Sequence, residues 1–177
     1  MRKSLLFGML VVFLVGCNTL SGTRRYTDDP RQFLAYAASN KDVKTIVVGN
    51  PTSKSIASLE NSVTKNLNES YRFSNTNFAI KDSTKMQKPY KIVFAFGPQF
   101  NTTADEICAA PNNLKLTPPS SKIFVMAVFC GGDPISKVEA SVDYAGPDKD
   151  ANLEDAIKQI AVNLVPQEEP LRSYASD

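Results

Sequence analysis

Two uninterrupted apolar runs place the strongest constraint on the fold of this chain. Residues 92–96 and 123–129 are apolar at consecutive positions, a pattern typical of strands that are buried on both faces or lie in the middle of a sheet. Both runs are far shorter than the roughly 20 residues of a membrane-spanning helix. We therefore predict that they form two central strands of one sheet.

Three weaker patterns predict further strands. Residues 45–48 form a β-branched run that stops at Gly49-Asn50-Pro51, and residues 76–81 alternate weakly. Residues 137–144 alternate between apolar and polar side chains after the Gly131-Gly132 break. We expect this last strand to form a hairpin with the run at 123–129.

Three segments carry helix signals. Asp29 and Pro30 are typical of a helix start. The residues after them offer an apolar face and predict a short helix at the edge of the core: Phe33, Leu34, Tyr36 and Ala37. Two longer segments place apolar residues three and four positions apart, which predicts amphipathic helices: Ile56, Leu59, Val63 and Leu67 in the first, and Leu153, Ala156, Ile157, Ile160, Ala161 and Leu164 in the second.

This order of elements predicts an α+β fold. We expect a mostly antiparallel sheet of about five strands, with the two main amphipathic helices packed on one face and the short N-terminal helix beside them. Residues 98–121 are left over as a connection of 24 residues, which is too long for an idle loop. We therefore expect residues 98–121 to have a role in binding.

The N-terminus carries an export signal. Arg2 and Lys3 precede an apolar run at residues 5–15, which is typical of a secretory signal peptide. The residues Leu14-Val15-Gly16-Cys17 resemble the lipobox of bacterial lipoproteins, which implies cleavage before Cys17 and acylation of its thiol. The alternative is an ordinary secretory signal with an incidental cysteine. Several acyl chains would anchor the protein to a membrane stably, whereas one chain binds marginally.

The anchor divides the chain into four parts. We predict a signal peptide at residues 1–16, a lipidated N-terminus and flexible tether at 17–28, a single α+β domain at 29–166, and a mobile C-terminal tail at 167–177. Residue 18 is Asn, whereas an Asp at this place commonly retains lipoproteins at the inner membrane. We therefore expect the lipid on Cys17 to attach the protein to the outer membrane, with the domain in the periplasm.

The two remaining cysteines point to the same oxidising compartment. With Cys17 acylated, Cys108 and Cys130 form one even pair, and we predict a disulfide between them. The alternative is two buried free thiols. Loss of Arg2 and Lys3 leaves 18 basic residues against 18 acidic ones. A neutral domain of this kind has no bulk charge for binding nucleic acid.

The composition limits the chemistry that the chain can perform. It has no histidine, which excludes Ser-His-Asp and Cys-His catalysis. The loop at residues 49–55 only half resembles a phosphate-binding loop, because Ser53 stands where a second glycine is needed. Three carboxylate pairs lie on polar segments without the ligand spacing of a calcium loop: Asp28 with Asp29, Asp105 with Glu106, and Asp148 with Asp150. We expect no catalytic residue, no metal site and no cofactor.

Several of these segments together resemble uncharacterised lipoproteins of proteobacteria. The resemblance rests on the segment at 45–51 with its Gly49-Asn50-Pro51, on residues 73–78 and 90–94, on the isolated Cys108, and on residues 127–131 with Cys130. It covers roughly residues 30–165 and supports the paired cysteines and the cell-envelope address. It implies no activity.

We expect a non-catalytic binding or accessory factor for an envelope protein or component, which would contact its partner through residues 98–121 or a sheet edge. An envelope enzyme that uses Ser or carboxylate chemistry and a carrier of a small apolar ligand stay open as alternatives. The oligomeric state is also left open.

Overall fold

The computed structural model describes residues 19–71, 76–118 and 120–166. The strands are β1 (Thr19–Arg25), β2 (Asp42–Val48), β3 (Asn77–Ala79), β4 (Tyr90–Phe96), β5 (Lys122–Gly131) and β6 (Asp133–Asp143). The helices are α1 (Pro30–Ala38), α2 (Ile56–Ser70), α3 (Ala104–Ala109) and α4 (Lys149–Leu164), with a 3-10 turn at Pro111–Asn113. Within the described ranges, every helix is too short or too polar to cross a membrane.

All six strands form one mixed sheet in the order β1-β6-β5-β4-β2-β3. The β2 strand pairs in parallel with both β3 and β4, and the other three pairs are antiparallel. The α+β class is confirmed, but the sheet has six strands rather than about five, and two of its five strand pairs are parallel. The parallel pairs arise because α2 carries the chain back across the sheet after β2, and a crossover of that length returns the next strand in the same direction.

The sixth strand lies where we predicted a flexible tether. Residues 19–25 form β1, which pairs with β6 from Thr19 opposite Ser141 to Arg25 opposite Ser136. Its residues are mostly polar, because an edge strand is stabilised by backbone hydrogen bonds to its neighbour and needs little apolar surface. The prediction of a tether over 17–28 is wrong for these seven residues, and Cys17 lies outside the described part of the chain.

The sheet is buried on both faces. In β4, Ile92 and Phe94 point to a first face, and Val93 and Ala95 point to a second face. The first face is covered by α1, α2 and α4, as the helix spacing predicted. The second face is covered by α3, so the expectation of helices on one face only is wrong.

The two amphipathic helices on the first face are joined by a buried tyrosine. Tyr71, which follows α2, is 1 % exposed, and its hydroxyl donates to the backbone oxygen of Ala161 in α4. The same hydroxyl accepts from the backbone N–H of Val165 at 2.8 Å. Burial raises the pKa of Tyr71 above its ordinary value. The hydroxyl therefore stays protonated and fixes the ends of both helices.

The strand register defines two ends of the sheet. We call one end the Thr19 end; it carries Thr19, Phe96, Lys122 and Asp143. These residues share an end because Lys122 pairs with Asp143 and Phe96 pairs with Val125. The other end, here the Tyr90 end, carries Arg25, Asp42, Tyr90 and the turn at Gly131–Asp133. The α1 helix lies at the Tyr90 end, immediately before β2 begins.

Candidate functional site

The segment at residues 98–121 is an ordered excursion between β4 and β5. The residues that leave the Thr19 end pair with the residues that return to it. The N–H of Gln99 donates to the backbone oxygen of Lys115 at 3.1 Å, and the N–H of Thr117 donates to the backbone oxygen of Gly97 at 2.7 Å. Between these bonds, α3 lies over the second face and buries Ala104, Ile107 and Cys108. Much of the predicted binding loop therefore serves the core.

The predicted disulfide is confirmed. Cys108 in α3 is bonded to Cys130 in β5 across 22 residues of chain, and their Cα atoms are 5.7 Å apart. Both cysteines are buried in the second core beside Val128 and Ile107. The bond fixes the last turn of α3 onto the sheet.

A cleft of about 320 Å³ opens at the Thr19 end. It lies between the residues that follow β2 and the returning part of the 98–121 segment, and its walls include Pro51, Leu116, Pro118 and Ile123. This place corresponds to the carboxyl ends of the parallel strands β2 and β4, where α/β sheets commonly bind ligands. Its volume is at the lower limit of small-molecule pockets.

The floor of the cleft depends on a glycine. Gly49 has a φ of +81°, a conformation that side chains with a Cβ rarely adopt. A Cβ at this position would also collide with the backbone oxygen of Phe96. Gly49 therefore allows the ends of β2 and β4 to approach each other.

Several polar side chains in and beside the cleft are bonded to the backbone. The Asn50 side chain accepts from the N–H of Thr52 at 3.0 Å and donates to the oxygen of Lys54 at 2.8 Å. Ser55 caps α2 by accepting from the N–H of Ser58 at 3.3 Å. These bonds engage the N–H groups of Thr52 and Ser58 within the chain, and Ser53 stands where a phosphate-binding loop has its second glycine.

A serine and a lysine also line the cleft, as a Ser-Lys enzyme would require. The Ser120 hydroxyl, however, donates to the backbone oxygen of Lys122, and the N–H of Lys122 donates back to it at 3.3 Å. Lys122 is the one charged side chain among the described lining residues. The cleft therefore offers a surface for binding and lacks a paired acid and base.

The three carboxylate pairs of the sequence are separated in space and serve local roles. Asp29 caps α1 by accepting from the N–H of Arg31 at 3.0 Å, and Glu106 closes a capping box with Thr103 at the start of α3. Asp150 forms an ion pair with Lys54 at 2.9 Å, and the hydrogen bond from Lys54 lowers the pKa of that carboxyl. Within the described ranges, no three His, Cys, Asp or Glu residues are close enough to hold a metal.

Phe100 is exposed in the first turn of the excursion. It occupies the first corner of a turn in which the N–H of Thr102 donates to the oxygen of Gln99 at 2.9 Å. Its side chain is 96 % exposed, more than that of any other large apolar residue described. A single exposed apolar side chain is common on protein surfaces, so Phe100 contributes to an interaction surface only together with apolar neighbours.

A second exposed apolar surface lies at the Tyr90 end. Phe33 and Tyr36 are 38 % and 57 % exposed and are neighbours on the outer side of α1, three positions apart. Tyr36 meets the half-buried Tyr90 edge to face, with 5.8 Å between ring centroids, and the Lys41 ammonium lies 4.6 Å from the Tyr36 ring. We call Phe33, Tyr36 and Tyr90 the aromatic surface.

The aromatic surface was missed because the sequence placed Phe33 and Tyr36 on the core side of α1. In the structure, the core side is formed by Leu34, Ala37 and Ala38, and the two aromatic rings point outward. The predicted face is therefore confirmed for Leu34 and Ala37 and wrong for Phe33 and Tyr36.

The predicted lipid attachment residue, Cys17, lies outside the described residues, as do the signal peptide and the tail at 167–177. The structure therefore bears on the anchor only through the position of Thr19, where the described chain begins.

No protein-family model and no curated protein matches this chain. Among solved structures, it is similar to a PelC dodecamer from Paraburkholderia phytofirmans, with a TM-score of 0.45 and 14% sequence identity over 81% of this chain and 97% of that chain. A second structure of a PelC variant from the same organism gives a TM-score of 0.42 and 15% identity over the same shares. At scores this low, the likeness indicates neither a shared family nor a shared assembly.

Proposed function

We propose that this chain is a lipoprotein anchored to the periplasmic side of the outer membrane, and that it acts as a non-catalytic binding or accessory factor for an envelope protein. The anchor rests on the lipobox-like residues that end at Cys17 and on Asn18 after it. The binding role rests on the aromatic surface. Anchor and partner surface are then at opposite ends of one rigid sheet.

The position of the aromatic surface carries the proposal. Cys17 is two residues before Thr19, so a lipid on Cys17 holds the Thr19 end near the membrane. The seven residues of β4 separate the two ends by about 20 Å. A periplasmic partner therefore meets the Tyr90 end first, where Tyr36 and Phe33 offer aromatic side chains of the kind enriched at protein interfaces.

The 98–121 segment fits the role of partner surface less well than we expected from the sequence. Its inner side, from Ala104 to Cys108, is buried against the sheet. Its exposed residue Phe100 follows the end of β4 and so lies at the Thr19 end. We therefore assign partner recognition to the aromatic surface.

The described clefts support binding more than catalysis. The cleft at the Thr19 end lacks an acid paired with a base, as shown above by the bonds of Ser120 and Lys122. A carrier of apolar ligands would need a cavity between the helices and the sheet, and the groove between α2 and α4 holds only about 60 Å³.

The partner surface is tested by photo-crosslinking in cells. A photoreactive amino acid replaces Tyr36, and the matched control replaces Val162, which is 49 % exposed on α4. We expect a discrete adduct of one mass from position 36, which disappears when Phe33→Ala is added, and none from position 162. Equal labelling at both positions, or none at position 36, would refute a partner surface at Tyr36.

The anchor is tested separately by metabolic labelling with palmitate. We expect label in the native chain and its loss in Cys17→Ser. Absence of label from the native protein would remove the anchor from the proposal. The crosslinking result would not be affected.

A further inference from the structure

The Thr19 end gathers exposed apolar side chains around the point where the anchor joins the domain. Consecutive Cα atoms are at most about 3.8 Å apart, so Cys17 lies within roughly 7 Å of Thr19, whatever path the chain takes. Thr19 is the first residue of β1 and lies opposite Ser141, near the end of β6. Acyl chains on Cys17 would therefore enter the membrane beside this end of the sheet.

Four of the exposed large apolar residues belong to the same end. Leu20 follows Thr19, Ile56 begins α2, Leu116 lines the cleft and Phe100 lies in the first turn of the excursion. They are 37 %, 43 %, 38 % and 96 % exposed, respectively. Because Leu116 lies beside Gly49 at the end of β2, four strands from β1, these residues span about 19 Å of the sheet's width. By chain connectivity, all four follow or begin elements at the Thr19 end.

Two lysines lie near Phe100, and the carboxylates of Asp105 and Glu106 follow in α3. The backbone oxygen of Lys115 bonds to the residue before Phe100, and Lys122 lies in the wall of the same cleft as Leu116. Both lysines are exposed. Long lysine side chains hold their ammonium groups at the headgroup level while apolar neighbours enter the acyl region.

We propose that the Thr19 end lies on the lipid bilayer, with the Phe100 ring inserted at the boundary between headgroups and acyl chains. This inference rests on the Cys17 anchor of the proposed function, and it adds a second, non-covalent membrane contact. It explains why an aromatic ring that is 96 % exposed stands at the tip of an otherwise well-bonded turn. It also fixes the orientation of the domain, because the Tyr90 end then points away from the membrane.

The chain has no tryptophan, so one substitution introduces a unique fluorescent probe. The acylated full chain carrying Phe100→Trp is placed in vesicles of phosphatidylethanolamine and phosphatidylglycerol, with and without brominated acyl chains. The matched control carries Tyr36→Trp, which places the probe at the Tyr90 end on a side chain that is 57 % exposed. Mass measurement of the peptide that begins at Cys17 establishes acylation before the vesicles are made.

We expect the Phe100→Trp emission to shift to shorter wavelength in vesicles and to lose roughly half its intensity or more to brominated lipid, as for a side chain about 5–10 Å into the interface. The Tyr36→Trp emission should keep its wavelength and remain open to quenching by aqueous acrylamide. Equal acrylamide quenching of the two probes in acylated protein would overturn the inference and leave the anchor intact. A blue shift without quenching by brominated lipid would show a protein contact and would also overturn it. Unacylated Cys17 would remove the anchor and this inference together.

Discussion

The two faces of the sheet are covered in different ways. The first face is covered by α2 and α4, which are 15 and 16 residues long and bring regularly spaced apolar side chains to the sheet. The second face is covered by α3, which has six residues and is too short to be stable alone. A capping box and a disulfide hold α3 in place instead. The comparison shows that a covalent bond replaces packing area where the covering element is small.

The 98–121 segment both covers the second core and presents an exposed side chain. Ile107 and Cys108 close the second core, while Phe100, a few residues earlier, stands in solvent. Because the segment is fixed at Cys108 and by its hydrogen bonds to Gly97 and Lys115, the turn that carries Phe100 has a defined position. A mobile loop would present Phe100 in no fixed direction.

The largest loss of stability is expected from a substitution in the core of the first face. Ile157→Ala in α4 should lower the free energy of unfolding by about 4 kcal/mol, because Ile157 is 1 % exposed and its long helix cannot move to fill the cavity. Ile107→Ala on the second face should cost about 2 kcal/mol, since the second core contains far fewer buried residues than the first. Urea unfolding of the oxidised proteins measures both. Equal losses would show that the second face is packed as rigidly as the first.

A slightly smaller loss is expected when the covalent bond of the second face is removed. Replacing both cysteines, Cys108→Ala with Cys130→Ala, frees a loop of 22 residues and should lower the free energy of unfolding by roughly 3 kcal/mol on the chain-entropy model. Thermal and urea unfolding measure it, with reduced native protein as the control. An unchanged urea midpoint would mean that α3 is held by packing alone.

The smallest effect has the opposite sign and concerns the first face. Thr45 in β2 is fully buried, and its hydroxyl has no hydrogen-bond partner in the described structure. Thr45→Val should therefore raise the free energy of unfolding by about 1 kcal/mol, since it removes an unsatisfied polar group at nearly constant volume. Ser136→Ala is the matched control, because the Ser136 hydroxyl is buried and donates to Leu164 at 2.6 Å. Urea unfolding should show a gain for the first variant and a loss for the second, and a loss for both would count against this view of Thr45.

Much of the first face was predictable from residue spacing. The spacing of Leu59, Val63 and Leu67 identified the buried side of α2, and the continuous apolar run in β5 indicated a strand buried on both faces. A strand buried on both faces also requires an element that covers the second face. We did not make that inference from the sequence. The capping box of Thr103 and Glu106 was the available signal for α3.

Other features could not be predicted because they depend on contacts between distant segments. The β1 strand has no apolar alternation and forms only because β6 offers it an edge. The cleft arises where Gly49 and Leu116 meet, 67 residues apart in the sequence. The disulfide was predictable because cysteine pairing depends on number and compartment rather than on packing.

The central claim is that the disulfide holds the 98–121 segment as the cover of the second face. Hydrogen–deuterium exchange of the oxidised and reduced native protein tests it most directly. We predict that reduction speeds exchange in α3 and in the bonds at Gln99 and Thr117, while α2 and α4 keep their protection. Unchanged exchange in α3, or equal acceleration in α3, α2 and α4, would contradict the claim.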